Sequence, residues 1–203
     1  MNTRKKISIV LLCFALPAAV FLWYQRLSLG YSIPHSGGES LSVSFAETPI
    51  YLQTDPLWAD KHIGGSNEKV QNVGCTICCV SMGFAEFGIE LKPDRLNMLL
   101  KKKHGYTDSG WVIWAAIPTV TDNKVNAEVI SKVSYDVIDQ AIQRGHPVIA
   151  KVYINDAIAH WVLIVGKDGI DYLIKDPLGD GKTLEKLSKY DSNIYAIRIL
   201  KPI

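Results

Sequence analysis

Cys75, His160 and Asp176 carry side chains suited to acyl transfer through sulfur: a thiol, an imidazole and a carboxylate. Cys75 follows Gly74 and opens an apolar run, residues 75–87, that reads as a buried helix stopped by Gly88. A thiol at a helix N-terminus meets partial positive charge and unpaired N–H groups, which favour the thiolate. Gly74 is expected to let the backbone turn sharply from loop into helix. The N–H at this position can also help to hold a developing oxyanion. Cys78 and Cys79 fall inside the helix and read as core residues. Cys75-Thr76-Ile77-Cys78 has the spacing of a redox pair, but no βαβ context flanks it. Zinc would need a second ligand pair; Cys13 lies in the apolar N-terminal stretch, and the five histidines show no metal spacing. Neither a metal nor an organic cofactor is expected.

A thiol nucleophile needs a base, and the base needs an orienting group. His160 begins the run His-Trp-Val-Leu-Ile-Val-Gly, which leads to the turn signal Lys167-Asp168-Gly169. Residues 171–175 then return toward Asp176-Pro177. In a hairpin centred on Asp168, His160 lies eight residues before the centre and Asp176 eight after it. Such a ladder would set the two directly opposite, on one face, with Cβ atoms about 5 Å apart. The carboxylate could then fix the imidazole tautomer and leave the other ring nitrogen for the thiol. A one-residue slip would spoil this facing. His35, His62, His104 and His146 read as solvated histidines in loops or at helix and strand ends.

The elements that position these groups fall into two blocks. Residues 49–53 read as a short strand and residues 58–74 as a long loop. Pro93 opens a second helix through residue 103, with lysines at its C-terminal end. Residues 111–117 suggest a short helix, and Ser134 caps another that ends near Gly145. Strands are then expected over residues 147–153, 160–165, 171–175 and 193–200. Helices first and strands later predict an α+β fold: a helical half, with the nucleophile helix, packed on a mainly antiparallel sheet.

Ahead of this domain the composition changes. Residues 1–6 are basic, and residues 7–24, ISIVLLCFALPAAVFLWY, carry no charge. That length gives roughly 27 Å of helix, close to the apolar thickness of a bilayer. Trp23 and Tyr24 fall where an aromatic belt would lie, and the leading positive charges favour a cytoplasmic N-terminus. The expectation is a signal-anchor span within residues 1–25 and a Ser/Gly-rich flexible tether over residues 26–44. A domain over residues 45–203 would follow, outside the cytoplasm. Cleavage as a signal peptide would instead release it as a secreted protein, although no small-x-small site follows the apolar run. The formal net charge of +2 comes from the N-terminus, because the 177 residues after Arg26 hold 18 basic and 20 acidic side chains. That balance offers no footprint for nucleic acid.

Taken in order, several pieces resemble the C39-like peptidases of the papain-like cysteine peptidase group. They are Gln53 with Asp55-Pro56-Leu57-Trp58, Gly74-Cys75 leading to Met82, Gly145-His146-Pro147-Val148-Ile149, the run from His160 to Gly166, and Lys175-Asp176-Pro177. The resemblance implies a papain-like fold, a Cys75–His160–Asp176 triad and a glutamine in the oxyanion hole. Gln53 is the match for that glutamine, and Gln71, four residues before Cys75, is a rival. One departure is that Thr76-Ile77 stand where members often have Gly-Pro. The implied activity is cleavage of peptide bonds in exported peptides or proteins. The alternatives are an amidase acting on peptidoglycan stem peptides and an inactive, peptidase-like binding module.

Overall fold

The computed structural model of the chain describes residues 32–45 and 47–203. The expected membrane span, residues 1–25, lies outside them. Among the described residues no helix is long and apolar enough to cross a membrane.

Six strands occur among the described residues: β1 (Ser36–Ser44), β2 (Val125–Ile130), β3 (Val148–Ile154), β4 (Ile158–Lys175), β5 (Glu185–Lys186) and β6 (Ala196–Pro202). They pair antiparallel in the order β1-β4-β3-β6-β2, with β5 against β4. Three α-helices of nine or ten residues accompany them, α1 (Cys75–Phe84), α2 (Pro93–Lys102) and α3 (Tyr135–Gln143), besides the single helical turn Val70–Val73.

Local chemistry explains the helix ends. α1 buries nine of its ten residues, so it has no polar face and must lie inside. A 3-10 turn, Ala85–Phe87, follows it, and Gly88 at φ 69° closes that turn in the left-handed region. Pro93 stands in the first turn of α2, and Lys101 and Lys102 stand in its last. The Ser134 hydroxyl accepts from the Val137 N–H and caps α3.

The sheet is covered on both faces. Val148, Ala150, Val152, Val162 and Ile164 join Ile138 and Ile142 of α3 in one core. Ile149, Leu163 and Val165 join Ile77, Val80 and Phe84 of α1, with Leu96 and Leu100 of α2, in the other. The expected helices packed on an antiparallel sheet are present, with α1 and α2 on one face and α3 on the other. Successive residues of the central strands, such as Val148, Ile149 and Ala150, are apolar and buried, so both faces of the sheet need cover.

β4 is one extended run of 18 residues. If straight, the 16 residues from His160 to Asp176 would span roughly 50 Å at about 3.3 Å each. The two side chains are in contact, so the run folds back on itself. Gly169, at φ 61°, supplies left-handed backbone next to Asp168, where the turn was expected.

Two expectations fail. Residues 49–53 form no strand: the Gln53 N–H goes to the Pro177 carbonyl and the Asp55 N–H to the Leu52 carbonyl, so this backbone is used in turns and a loop contact. The flexible tether over residues 26–44 is also corrected, because Ser36–Ser44 is β1, paired with β4 from Gly166 to Asp171. Its glycines meet steric demands. A Cβ on Gly37 would lie 2.5 Å from the Tyr135 ring, and one on Gly38 2.4 Å from an Asp139 carboxylate oxygen. Gly38 also sits at φ 75°.

A buried ion pair fastens this strand to α3 and β4. Lys167, 1% exposed, donates to Asp139, 2% exposed, at 2.7 Å. Asp139 also accepts from the Tyr172 hydroxyl and from the Glu39 N–H of β1, each at 2.9 Å. Replacing Lys167 with Met leaves Asp139 charged, buried and short of its strongest partner. Urea unfolding should show a loss of about 3–5 kcal/mol. The double variant Lys167→Met/Asp139→Leu should recover part of it. Gly38→Ala should also destabilise, by crowding the same carboxylate.

Candidate active site

Cys75 is the first residue of α1, with Gly74 as its N-cap. A single helical turn, Val70–Val73, leads up to that glycine, whose N–H donates to the Val70 carbonyl at 2.7 Å. Gly74 has φ −80°, so left-handed freedom is not the reason for glycine here. Space is the reason: a Cβ would lie 2.4 Å from the Val70 oxygen and 2.5 Å from its Cγ1. The chain thus enters α1 directly at the thiol, where the first N–H groups of the helix have no partner within it.

The three cysteines among the described residues are free thiols. Burial pushes the Cys78 and Cys79 thiols well above their ordinary range, and both are fully enclosed by α1 and its neighbours. Cys79 Sγ donates to the Trp161 carbonyl at 3.3 Å. These two behave as the core residues expected.

His160, 2% exposed, lies between Cys75 and Asp176. Its Nε2 is 2.8 Å from Asp176 Oδ1, and the Cys75 thiol lies close enough to the imidazole to raise its proton affinity. With Nε2 held by the carboxylate, Nδ1 is the nitrogen left for sulfur. Burial alone would lower the proton affinity of the ring. The hydrogen bonds and charges of Asp176 and Cys75 outweigh it and raise His160 from 6.5 to about 9.

Asp176 is completely buried. Besides His160 it accepts from the Leu178 N–H at 2.9 Å and from the Tyr190 hydroxyl. Lys189 Nζ lies 2.6 Å from its Oδ2 and 2.6 Å from Glu185 Oε2. Burial pushes this carboxyl up, but the His160, Lys189 and Tyr190 contacts hold it well below the usual carboxylate range. Lys189 and Tyr190 belong to a 3-10 turn, Leu187–Tyr190. Sequence reasoning missed both, since a polar stretch without periodicity carries no signal that it returns to Asp176.

Gln53, 3% exposed, bridges the chain segments that carry the thiol and the carboxylate. Its Nε2 donates to the Gln71 carbonyl at 2.6 Å, and its N–H donates to the Pro177 carbonyl at 3.0 Å. Its Oε1 is buried without a protein partner. Gln71, the rival, is half-buried and meets Gln53 through its main chain.

Comparison with known proteins gives the family and the fold. The profile of the Peptidase C39 family matches residues 66–197, a span holding Cys75, His160 and Asp176 but not Gln53. The chain belongs to the Peptidase C39 family. A crystal structure of a protein assigned as a C39-like peptidase from Bacillus anthracis shares the fold, with TM-score 0.51 and 16% identity. The match covers 79% of this chain and 98% of that one. No curated protein matches the sequence. Membership brings a cysteine-peptidase-like function to this C39 domain.

Lys189 shares the Asp176 charge with His160, so it acts on the imidazole through the carboxylate. Lys189→Met leaves that charge directed more fully at the ring. The His160 titration, followed by NMR of labelled histidine, should centre near 9 in the parent protein and move upward in the variant. Tyr190→Phe removes a neutral donor and should move it less.

Proposed function

We propose that this protein is a membrane-anchored cysteine peptidase that cleaves peptide bonds of exported peptides or proteins, using Cys75, His160 and Asp176. The observation that supports it is the placement of one buried imidazole between a thiol at a helix N-terminus and a buried, fully partnered carboxylate.

In the proposed reaction, His160 Nδ1 holds the proton of Cys75, giving a thiolate beside an imidazolium. The sulfur attacks the carbonyl carbon and forms the S–C bond. The resulting oxyanion is held by the Cys75 N–H and the second Nε2 hydrogen of Gln53; one such donor is worth about 3 kcal/mol. The imidazolium then gives its proton to the leaving nitrogen as the C–N bond breaks. Water adds to the acyl-enzyme, His160 takes its proton, and the thiolate departs from the free acid. Asp176 keeps Nε2 protonated and the ring oriented throughout. Anchoring through residues 7–24, with the domain outside the cytoplasm, would limit substrates to exported chains.

The reading is tested with full-length protein and a tryptic peptide mixture, new termini being read by mass spectrometry. Cys75→Ala should abolish cleavage. His160→Ala should lower it by about 10²–10⁴-fold and slow alkylation of Cys75 by iodoacetamide at neutral pH. Gln53→Ala should lower kcat by about 10²–10³-fold and leave the alkylation rate intact. Because the imidazolium is the acid for the leaving amine, kcat/KM should fall as pH rises through about 9. A Cys75 that reacts like an ordinary thiol, at a rate indifferent to His160, would remove the enzyme reading and leave a binding module. Activity confined to purified sacculi would favour the stem-peptide amidase.

A further inference from the structure

Two cysteines stand one turn apart at the start of α1. Cys75 is its first residue, and the Cys78 N–H donates to the Gly74 carbonyl at 3.1 Å, which places Cys78 in the same first turn. Both are free thiols. Cys78 has no exposure and Cys75 is 8% exposed, an opening for small molecules only. A sulfur without exposure cannot meet a foreign thiol, so a redox partner for Cys78 must be internal. Helical geometry sets Cα atoms three residues apart at about 5 Å, inside the span that a disulfide bridges. Their Cβ atoms, about 5–6 Å apart on one face, must close by roughly 1–2 Å. Cys75 has the freedom to do so, because the N–H of the first helical residue has no partner within the helix. Cys79 is less suited, since its Sγ already donates to the Trp161 carbonyl at 3.3 Å.

The two sulfurs also feel one another. Burial is the first reason that Cys78 holds its proton so tightly, and the Cys75 charge is the next. The geometry points to a reversible oxidative modification of this site: a Cys75–Cys78 disulfide that forms once a peroxide has oxidised Cys75. The inference rests on the thiolate of the proposed function and adds a regulation to it. The Cys75 sulfur attacks one oxygen of the peroxide, the S–O bond forms, the O–O bond breaks, and the departing oxygen takes the proton of the His160 imidazolium. Cys75 is then an uncharged sulfenic acid, so its hold on the Cys78 proton is gone. The Cys78 sulfur attacks the Cys75 sulfur, the S–O bond breaks, and hydroxide leaves with the Cys78 proton as water. The two sulfurs are oxidised and the peroxide is reduced. A small reducing thiol reverses the bond by exchange. While it lasts, the disulfide silences the nucleophile and keeps it from sulfinic acid, which such a thiol does not reverse.

The test treats reduced full-length protein with hydrogen peroxide and then blocks free thiols with N-ethylmaleimide. Mass spectrometry reads the tryptic peptide of residues 70–95, which holds Cys75, Cys78 and Cys79. The peptide should be two hydrogens lighter and carry one blocking group, on Cys79. Iodoacetamide should no longer label Cys75, and dithiothreitol should restore the labelling. Cys79→Ala should still form the bond. Cys78→Ala should carry Cys75 on to sulfinic acid, with labelling lost for good. A second arm uses diamide, which joins neighbouring thiols without a sulfenic acid and so reads the geometry alone. Sulfinic acid on Cys75 beside a blocked Cys78 in the parent protein, a bond that survives Cys78→Ala, or no bond in diamide would each overturn the proposal. Slow iodoacetamide labelling of the reduced protein, beside a bond formed in diamide, would strike the catalytic reading and uphold the pairing.

Discussion

The Asp176 carboxylate has no exposure to water, and an ion so placed must be matched by partners or give up its charge. Its partners come from three chain segments: His160 from the outgoing half of β4, Leu178 from the turn just after, and Lys189 with Tyr190 from the 3-10 turn beyond β5. Each brings a donor, so charge balance at one atom pair fixes where these segments meet. The imidazole is held in the same bargain. Its place beside sulfur follows from the carboxylate's need for a donor.

A second buried carboxylate works in the same way on the rest of the sheet. Asp139 draws Lys167, Tyr172 and the Glu39 N–H to itself and so fastens β1 to α3 and β4. Gly166 allows the final approach, since a Cβ there would lie 2.2 Å from the Val43 carbonyl oxygen. Polar matching at two points, with apolar cores on both faces, accounts for a sheet whose outer strand is short of hydrophobic residues.

Features with a local cause were legible in the sequence. Cys75 at a helix start, Gly88 as its stop, the Ser134 cap and the facing of His160 and Asp176 all follow from periodicity, caps or a turn signal. Where the cause is distant, the sequence reads differently from the structure. Gly37 and Gly38 look like linker residues until the Tyr135 ring and the Asp139 carboxylate are known to pass beside them. Residues 49–53 look like a strand because nothing local tells that Gln53 will pair with a loop far downstream. β2 did carry a signal, Val125 and Ala127 alternating with Asn126 and Glu128, but so short a run gains its identity only from pairing with β6. The Asp176 partners Lys189 and Tyr190 are invisible for the same reason.

The position of β6 has a consequence for how the molecule is made. It follows every other strand in the chain, yet it lies inside the sheet, between β3 and β2. On the ribosome, β2 is synthesised long before β6, its only sheet neighbour among the described residues, and more than half a hundred residues of elongation separate the two. β3 likewise keeps one edge open until Ala196–Pro202 emerges. Closing the sheet is thus a late event that joins distant parts of the chain, which makes it slow. Until Ala196–Pro202 has emerged, Cys75 stands on a half-built scaffold.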